Sequence, residues 1–262
     1  MKINPIQFNF IQSKPQKMAV TSPLRMNNAL QADTISFKGI SEEDDESKKI
    51  DTLKPKHKGI IYKKVRDENG NIVKVPQEVK IVKRAGGMFE FRDGKDLVGY
   101  VRLGYIPASH CQKDSKYYDD YLTKNYDDLG IKDDRIEVDY VENFEEKKYG
   151  GIGHLADLIE VACCKELGFE PNVVSVSVPS ATPLHYVRGK RFVPYDRYLD
   201  EFEMKKYDFF KKDPNDTIKE IVENKSEKGR FDTSSFDFAL LTYMPKDMIK
   251  ELEEELKEHP IF

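Results

Sequence analysis

Cysteine is scarce in this chain. Its three copies, Cys111, Cys163 and Cys164, make neither a disulfide framework nor a four-ligand zinc site. Their scarcity makes a reducing cytoplasm the expected compartment. Long apolar runs are missing as well. Nothing approaches the roughly 20 residues of a membrane span, and the N-terminal stretch lacks the uninterrupted apolar core of a secretory signal. No membrane partner is expected. Positive charge is not in excess either: 43 Lys and Arg against 47 Asp and Glu leave a formal charge of -4. That balance argues against the basic stripe of a nucleic-acid binder. What the chain does have is core-forming material, 39% hydrophobic with 11% aromatic over 262 residues, enough for one large domain or two small ones.

Composition divides the chain near residue 56. Residues 1–56 are rich in Asn, Gln, Ser, Thr and Pro, and contain the run Ser41-Glu42-Glu43-Asp44-Asp45-Glu46. Such a segment buries too little apolar area to offset its ordering entropy, so a disordered N-terminal arm is expected. From Gly59 the pattern turns to β. Asp67-Glu68-Asn69-Gly70-Asn71 and Asp93-Gly94-Lys95-Asp96 each separate two apolar stretches, the signature of hairpins. Glu78 to Lys83 alternates as a strand. A helix is expected within Ser109 to Asp134 and a strand over Arg135 to Val141.

Helical spacing of Ile152, Leu155, Ala156, Ile159, Ala162, Cys163 and Leu167 predicts a long helix that ends at Gly168. On that stripe Cys163 faces inward and Cys164 does not. A strand follows at Val173 to Val178, and a short helix at Thr182 to Val187 with Pro183 in its first turn. Arg191 to Tyr195 reads as a strand, 199–230 as charged helical insertion, Phe236 to Tyr243 as a strand and Met248 to Leu256 as a last helix. The expectation is a mixed α+β domain over 57–262, a β-meander followed by β–α–β–α–β.

Lys148-Tyr149-Gly150-Gly151-Ile152-Gly153 lies between the strand at Arg135 and the long helix. Glycine removes side chains where the first helical N–H groups lack intrahelical partners and where the helix dipole is positive. A phosphate suits such a turn. The plain alternative is a strand–helix connection that uses glycine for its conformational freedom.

In this setting the hexapeptide resembles the pyrophosphate loop of the GNAT acetyltransferase superfamily, Arg/Gln-x-x-Gly-x-Gly/Ala between a strand and a long helix. Gly151 and Gly153 match, with Lys148 in place of Arg or Gln. Leu97 to Leu103 resembles the central hairpin strand of that fold, and Leu184-His185-Tyr186-Val187-Arg188-Gly189 its short helix. Gly189 falls one position early, Lys190 replaces the usual Phe, and Ser180 or Thr182 stands for the usual Asn. The resemblance covers Gly59 to Tyr195. It implies a central mixed sheet flanked by helices, and acetyl-coenzyme A as co-substrate. It further implies pyrophosphate binding by Lys148, Tyr149, Gly150, Gly151, Ile152, Gly153 and His154. The pantetheine arm would pair with the main chain from Asp139 to Val141.

The implied reaction is attack of an amine, from a small molecule or a protein, on the acetyl thioester. An amine of pKa about 10.4 is protonated near neutrality, so a base is expected. Strand alternation puts Glu137, Asp139 and Val141 on one face, which makes Glu137 the candidate base if that face lines the cleft. Tyr186 holds the family's general-acid position. Each has a structural alternative, a solvated strand carboxylate for Glu137 and a core or rim tyrosine for Tyr186. Two other functions stay open: a catalytically weak acyl-CoA-binding or protein-interaction module, and a nucleotide-binding regulatory domain.

Overall fold

Asn69-Gly70 makes the first chain reversal. Gly70 adopts a φ of 80°, and the Asp67 carboxylate accepts from the N–H groups of Asn69 and Asn71 at 2.9 and 2.7 Å. Strand β1 (Lys58–Arg66) thereby returns as β2 (Ile72–Lys83). The computed structural model describes residues 47–106, 134–169, 171, 174–193, 208–226, 231–236 and 238–262. The helix expected within Ser109 to Asp134 lies outside the described residues, as do most of the N-terminal arm and part of the 199–230 insertion.

β2 runs through Pro76, which fuses two strands expected separately. Pro76 lies opposite Tyr62 of β1, in a stretch where the strand at Met88–Asp93 does not pair with β2; that ladder covers only Lys80 to Lys83. A proline there removes no bond from a second ladder. β3 (Met88–Asp93) and β4 (Asp96–Ile106) form the second hairpin, with Gly94 at a φ of 62°. β5 (Arg135–Asn143) pairs with β4, and the two-residue β6 (Tyr149–Gly150) pairs with β1.

The strand order is β5-β4-β3-β2-β1-β6, so β5 and β6 sit at opposite ends of the sheet. A flat sheet of that size would hold its outer strands about 24 Å apart, and the short link 144–148 spans at most about 20 Å. The sheet therefore curls until its ends meet. The Asn143 side-chain amide donates to the Tyr149 carbonyl at 3.3 Å across the seam. Tyr149, 1% exposed, reaches over to donate its hydroxyl to Asp93 at 2.6 Å.

Helix α2 (Ile152–Leu167) touches β5, β4 and β1, strands from both ends of the order, so the sheet wraps around it. Two glycines bound it. Gly151 begins it at a φ of 86°. Gly168 ends it at a φ of 74°, with the Phe169 N–H bonded back to the Cys164 carbonyl at 2.8 Å. Because sheet and C-terminal helix enclose it, α2 is buried almost all round. Both Cys163 and Cys164 are buried, a correction for Cys164.

A second antiparallel sheet, ordered β7-β9-β8, is made by β7 (Val174–Ser177), β8 (Arg191–Phe192) and β9 (Leu240–Tyr243). Helix α3 (Thr182–Val187) connects β7 to β8. A 3-10 turn (Asp208–Lys211) and α4 (Pro214–Glu223) occupy part of the expected insertion. The Asn215 side chain clamps both the N–H and the carbonyl of Phe192 at 2.9 Å, which fixes α4 on β8. Phe192, Phe209, Ile218, Phe236, Phe238 and Leu240 form the core beneath. Phe236 and Phe238 precede β9, which starts only at Leu240. Helix α5 (Lys246–Glu258) packs Met248, Ile249 and Leu252 against α2 in the first core, which Ile61, Phe89, Val101, Ile136 and Ile159 form between the six-stranded sheet and α2.

The fold is thus mixed α+β, but every ladder described is antiparallel and the strands fall into two sheets, where one mixed sheet was expected. Another difference concerns the arm. Its last part forms helix α1 (Ser47–Thr52). Ile50 is 1% exposed in the first core, and Asp51 accepts from the N–H groups of Gly86 and Gly87 at 2.9 Å each. One buried isoleucine and one well-satisfied carboxylate dock a segment whose composition reads as disordered.

Candidate functional site

The glycine turn is built in two steps. A turn at Phe144–Lys148 follows β5, with the Tyr149 N–H bonded to the Glu145 carbonyl at 2.8 Å. Then β6 leads into α2, so the strand entering the turn is β6 and not the one at Arg135. Gly151 supplies a left-handed cap, and no side chain caps the helix N-terminus. A Cβ at Gly153 would lie 2.2 Å from Nη1 of Arg188. The guanidinium therefore lies close against the first turn of α2, and an added Cβ would push it aside.

Several cationic side chains lie near this turn, each with a partner of its own: Lys63 pairs with Asp93 at 3.6 Å, Lys64 donates to the Glu146 carbonyl at 2.6 Å and Arg188 is bonded to Asp157. Arg188 covers Gly153. The Lys64 side chain passes 3.7 Å from where a Gly150 Cβ would be. Lys63 and Lys148 place their ammonium groups 5.8 and 5.0 Å from the centre of the Tyr149 ring. Lys148 is exposed, whereas Tyr149 and Ile152 are core side chains. His154 bonds Glu255 of α5 through Nε2 at 2.9 Å, which turns it toward the C-terminal helix.

The expected face of β5 is revised by a bulge. Arg102 pairs with Tyr140 and Leu103 with Val138, which leaves Asp139 as the extra residue. One inserted residue reverses the alternation beyond it. Val141 therefore lies opposite Val101 and packs on the core with Val138, while Glu137 lies opposite Gly104 on the other face. Glu137 and Val141 do not share a face. Asp139 pairs with Arg102 at 3.5 Å. Tyr186 packs against the second core, with the Arg191 guanidinium 4.7 Å from its ring centre.

Sequence reasoning missed a buried ionic cluster between α2 and the turn after α3. Asp157, Glu160 and Lys190 are 1%, 0% and 1% exposed. Arg188 donates to both oxygens of Asp157, at 2.9 and 3.3 Å, and Lys190 Nζ lies 3.0 Å from the same carboxylate. Burial pushes the Asp157 carboxyl up, but Lys190 and Arg188 outweigh it and hold it below the usual range. Glu160 is treated differently. Its oxygens accept no hydrogen bond, and Lys190 stands 3.9 Å away. Burial pushes it up to about 8, with Lys190 opposing and Asp157 and Glu137 adding to the rise. His185 accepts from Arg188 at Nδ1, at 3.0 Å. Burial, with the charges of Lys190 and Arg188, holds its imidazole well below the ordinary histidine value, as an accepting nitrogen requires. The available signal was two carboxylates three apart within the apolar middle of α2, but their cations come from a segment some thirty residues on.

Burial also pushes the thiols of Cys163 and Cys164 up, which makes them poor nucleophiles. Among the described residues no group of His, Cys, Asp and Glu could hold a metal ion. None of the described helices is long and apolar enough to cross a membrane. Comparison with known proteins finds no matching family, no matching curated protein and no matching solved structure.

Proposed function

We propose that the chain is an N-acetyltransferase of GNAT-like organisation, using acetyl-coenzyme A as co-substrate and an amine as acceptor. The observation that carries this reading is a glycine turn whose helix N-terminus has no side-chain cap, with the exposed Lys148 preceding it and the Arg188 guanidinium against Gly153. A cation beside a helix N-terminus without a side-chain cap suits a pyrophosphate. Arg188 supplies the planar, forked charge that Lys148 lacks. Two features of the fold support the same reading. β5 ends the described strand order, where the reading places the main chain of Asp139 to Val141 beside an extended arm. β7 lies beside β5 but belongs to the other sheet, as strands that part over a groove would.

In the proposed reaction the amine nitrogen attacks the thioester carbonyl, a C–N bond forms and the C–S bond breaks. Glu137 takes the amine's proton, and Tyr186 protonates the departing thiolate. Val141 acts through its backbone N–H, since its side chain is in the core. A reducing cytoplasm is the proposed setting.

One observation favours the second reading, a catalytically weak acyl-CoA-binding or interaction module. Arg188 is already tied to Asp157, and Tyr186 is held beneath Arg191. Calorimetric titration with acetyl-coenzyme A and with ATP, followed by thiol release in the presence of an amine panel, separates the alternatives. Binding with amine-dependent thiol release supports the transferase. Binding without release supports the module, and preference for ATP or no binding removes both.

A further inference from the structure

The ionic cluster distributes its charges unevenly. Asp157 takes bonds from two cations, Arg188 twice and Lys190 once, although Arg188 alone engages both its oxygens. Glu160, one turn along the same face of α2, has neither oxygen hydrogen-bonded and is 0% exposed. An ionised carboxylate in that position costs too much to persist, so the group keeps its proton. The nearest cation is Lys190 Nζ at 3.9 Å. A movement of roughly 1 Å would bring that ammonium to charge-assisted bonding distance of Glu160 while Arg188 holds Asp157.

We propose that Lys190 is a two-position ammonium and that, with Glu160, it forms a pH-operated latch between α2 and the turn following α3. With Glu160 protonated, Lys190 rests on Asp157. When Glu160 loses its proton, Lys190 moves toward it and carries the turn along. The turn has a pivot at Gly189, whose φ is 103°. It also has an output. Arg191 Nη1 donates to the carbonyls of Gly189 and Lys190, at 3.1 and 2.9 Å, and its guanidinium covers Tyr186.

The charged and titratable groups around Glu160 come from each neighbouring element. They are Asp157, Cys163 and Cys164 on α2, Glu137 on β5, His185 on α3, and Arg188 and Lys190 on the turn. His185 is held neutral across this range, and burial keeps both thiols protonated. Glu160, fully buried with no hydrogen bond to either oxygen and an ammonium 3.9 Å away, is the member placed to switch. The latch stands whether or not the chain transfers acetyl groups.

The test is NMR on the full chain, with carboxyl-carbon labelling of glutamate and backbone amide spectra between pH 5 and 10. Assignment of Glu160 uses Glu160→Gln. One glutamate carboxyl is expected to titrate with a midpoint of about 8, and the amides of Gly189, Lys190 and Arg191 are expected to shift with the same midpoint. In Glu160→Gln those amide shifts vanish. A full set of glutamate carboxyls that titrates below pH 6 overturns the proposal, and that result needs only the wild-type protein. So does a Glu160 titration near 8 that leaves the turn amides unmoved.

Discussion

Glu160→Gln should stabilise the protein increasingly as pH rises above 4.5, by about 1 kcal/mol at pH 5.5 and by several times that above neutrality. The carboxyl has an ordinary value of 4.5 and is pushed up to about 8 in the fold. Below pH 4.5 both folded and unfolded chains hold the proton, and the group contributes nothing. Between 4.5 and 8 the unfolded chain releases the proton while the folded one keeps it. Folding then loses about 1.4 kcal/mol per pH unit. Above pH 8 the cost levels off at a ceiling of about 5 kcal/mol, because the residue is fully buried and no solvent screening discounts it. Gln mimics the protonated form in shape and in neutrality, so it removes the slope. His185 acts in the opposite sense: its folded value is depressed, so its contribution is complete above pH 6.5 and is lost as pH falls below that. It does so in both proteins and cancels in their difference. Urea unfolding at pH 5.5, 7 and 8.5 measures that difference. It should widen by about 3 kcal/mol between pH 5.5 and pH 8.5. Parallel stability curves for the two proteins would refute the assignment of a neutral, buried Glu160.

Gly153→Ala places a methyl group 2.2 Å from Nη1 of Arg188, pushing the guanidinium off Asp157. A net loss of about 1–2 kcal/mol is expected after the helix-propensity gain of Ala, together with weaker acetyl-coenzyme A binding. In an Arg188→Ala background the stability loss should disappear, and its persistence would show that Arg188 is not the obstacle. Ile50→Ala empties a filled site in the first core and should cost about 2–4 kcal/mol in urea unfolding. A negligible change would mean that α1 is not part of the domain. Tyr186→Phe should slow thiol release by less than about a hundredfold and leave the calorimetric affinity for acetyl-coenzyme A unaltered, since a thiolate is a fair leaving group unaided. Unchanged turnover would remove Tyr186 from the acid role.

Much of the secondary structure was legible because it is governed locally. Asn69-Gly70 and Asp93-Gly94 mark reversals by their tolerance of positive φ. The apolar spacing from Ile152 to Leu167 marks a helix, and Gly168 marks its end. The glycine turn was legible as a helix entry for the same reason. Local signals failed where a single distant contact decided the outcome. Composition assigned residues 47–52 to a disordered arm, but Ile50 finds a core formed by strands thirty to ninety residues later. Alternation on β5 failed at Asp139 because a bulge depends on register with β4, which no strand encodes by itself.

By itself the sequence determined where the chain turns, where α2 begins and ends, and that glycine would expose the helix N-terminus. Tertiary structure alone decided what meets that N-terminus. Curling of the six-stranded sheet brings β6, which leads into that N-terminus, against β1. Return of the α3–β8 turn lays Arg188 over Gly153 and buries Lys190 between Asp157 and Glu160. A turn is a matter of neighbouring torsions, whereas a charge cluster needs partners that only packing brings within bonding distance, and burial then fixes which of its members keeps a proton.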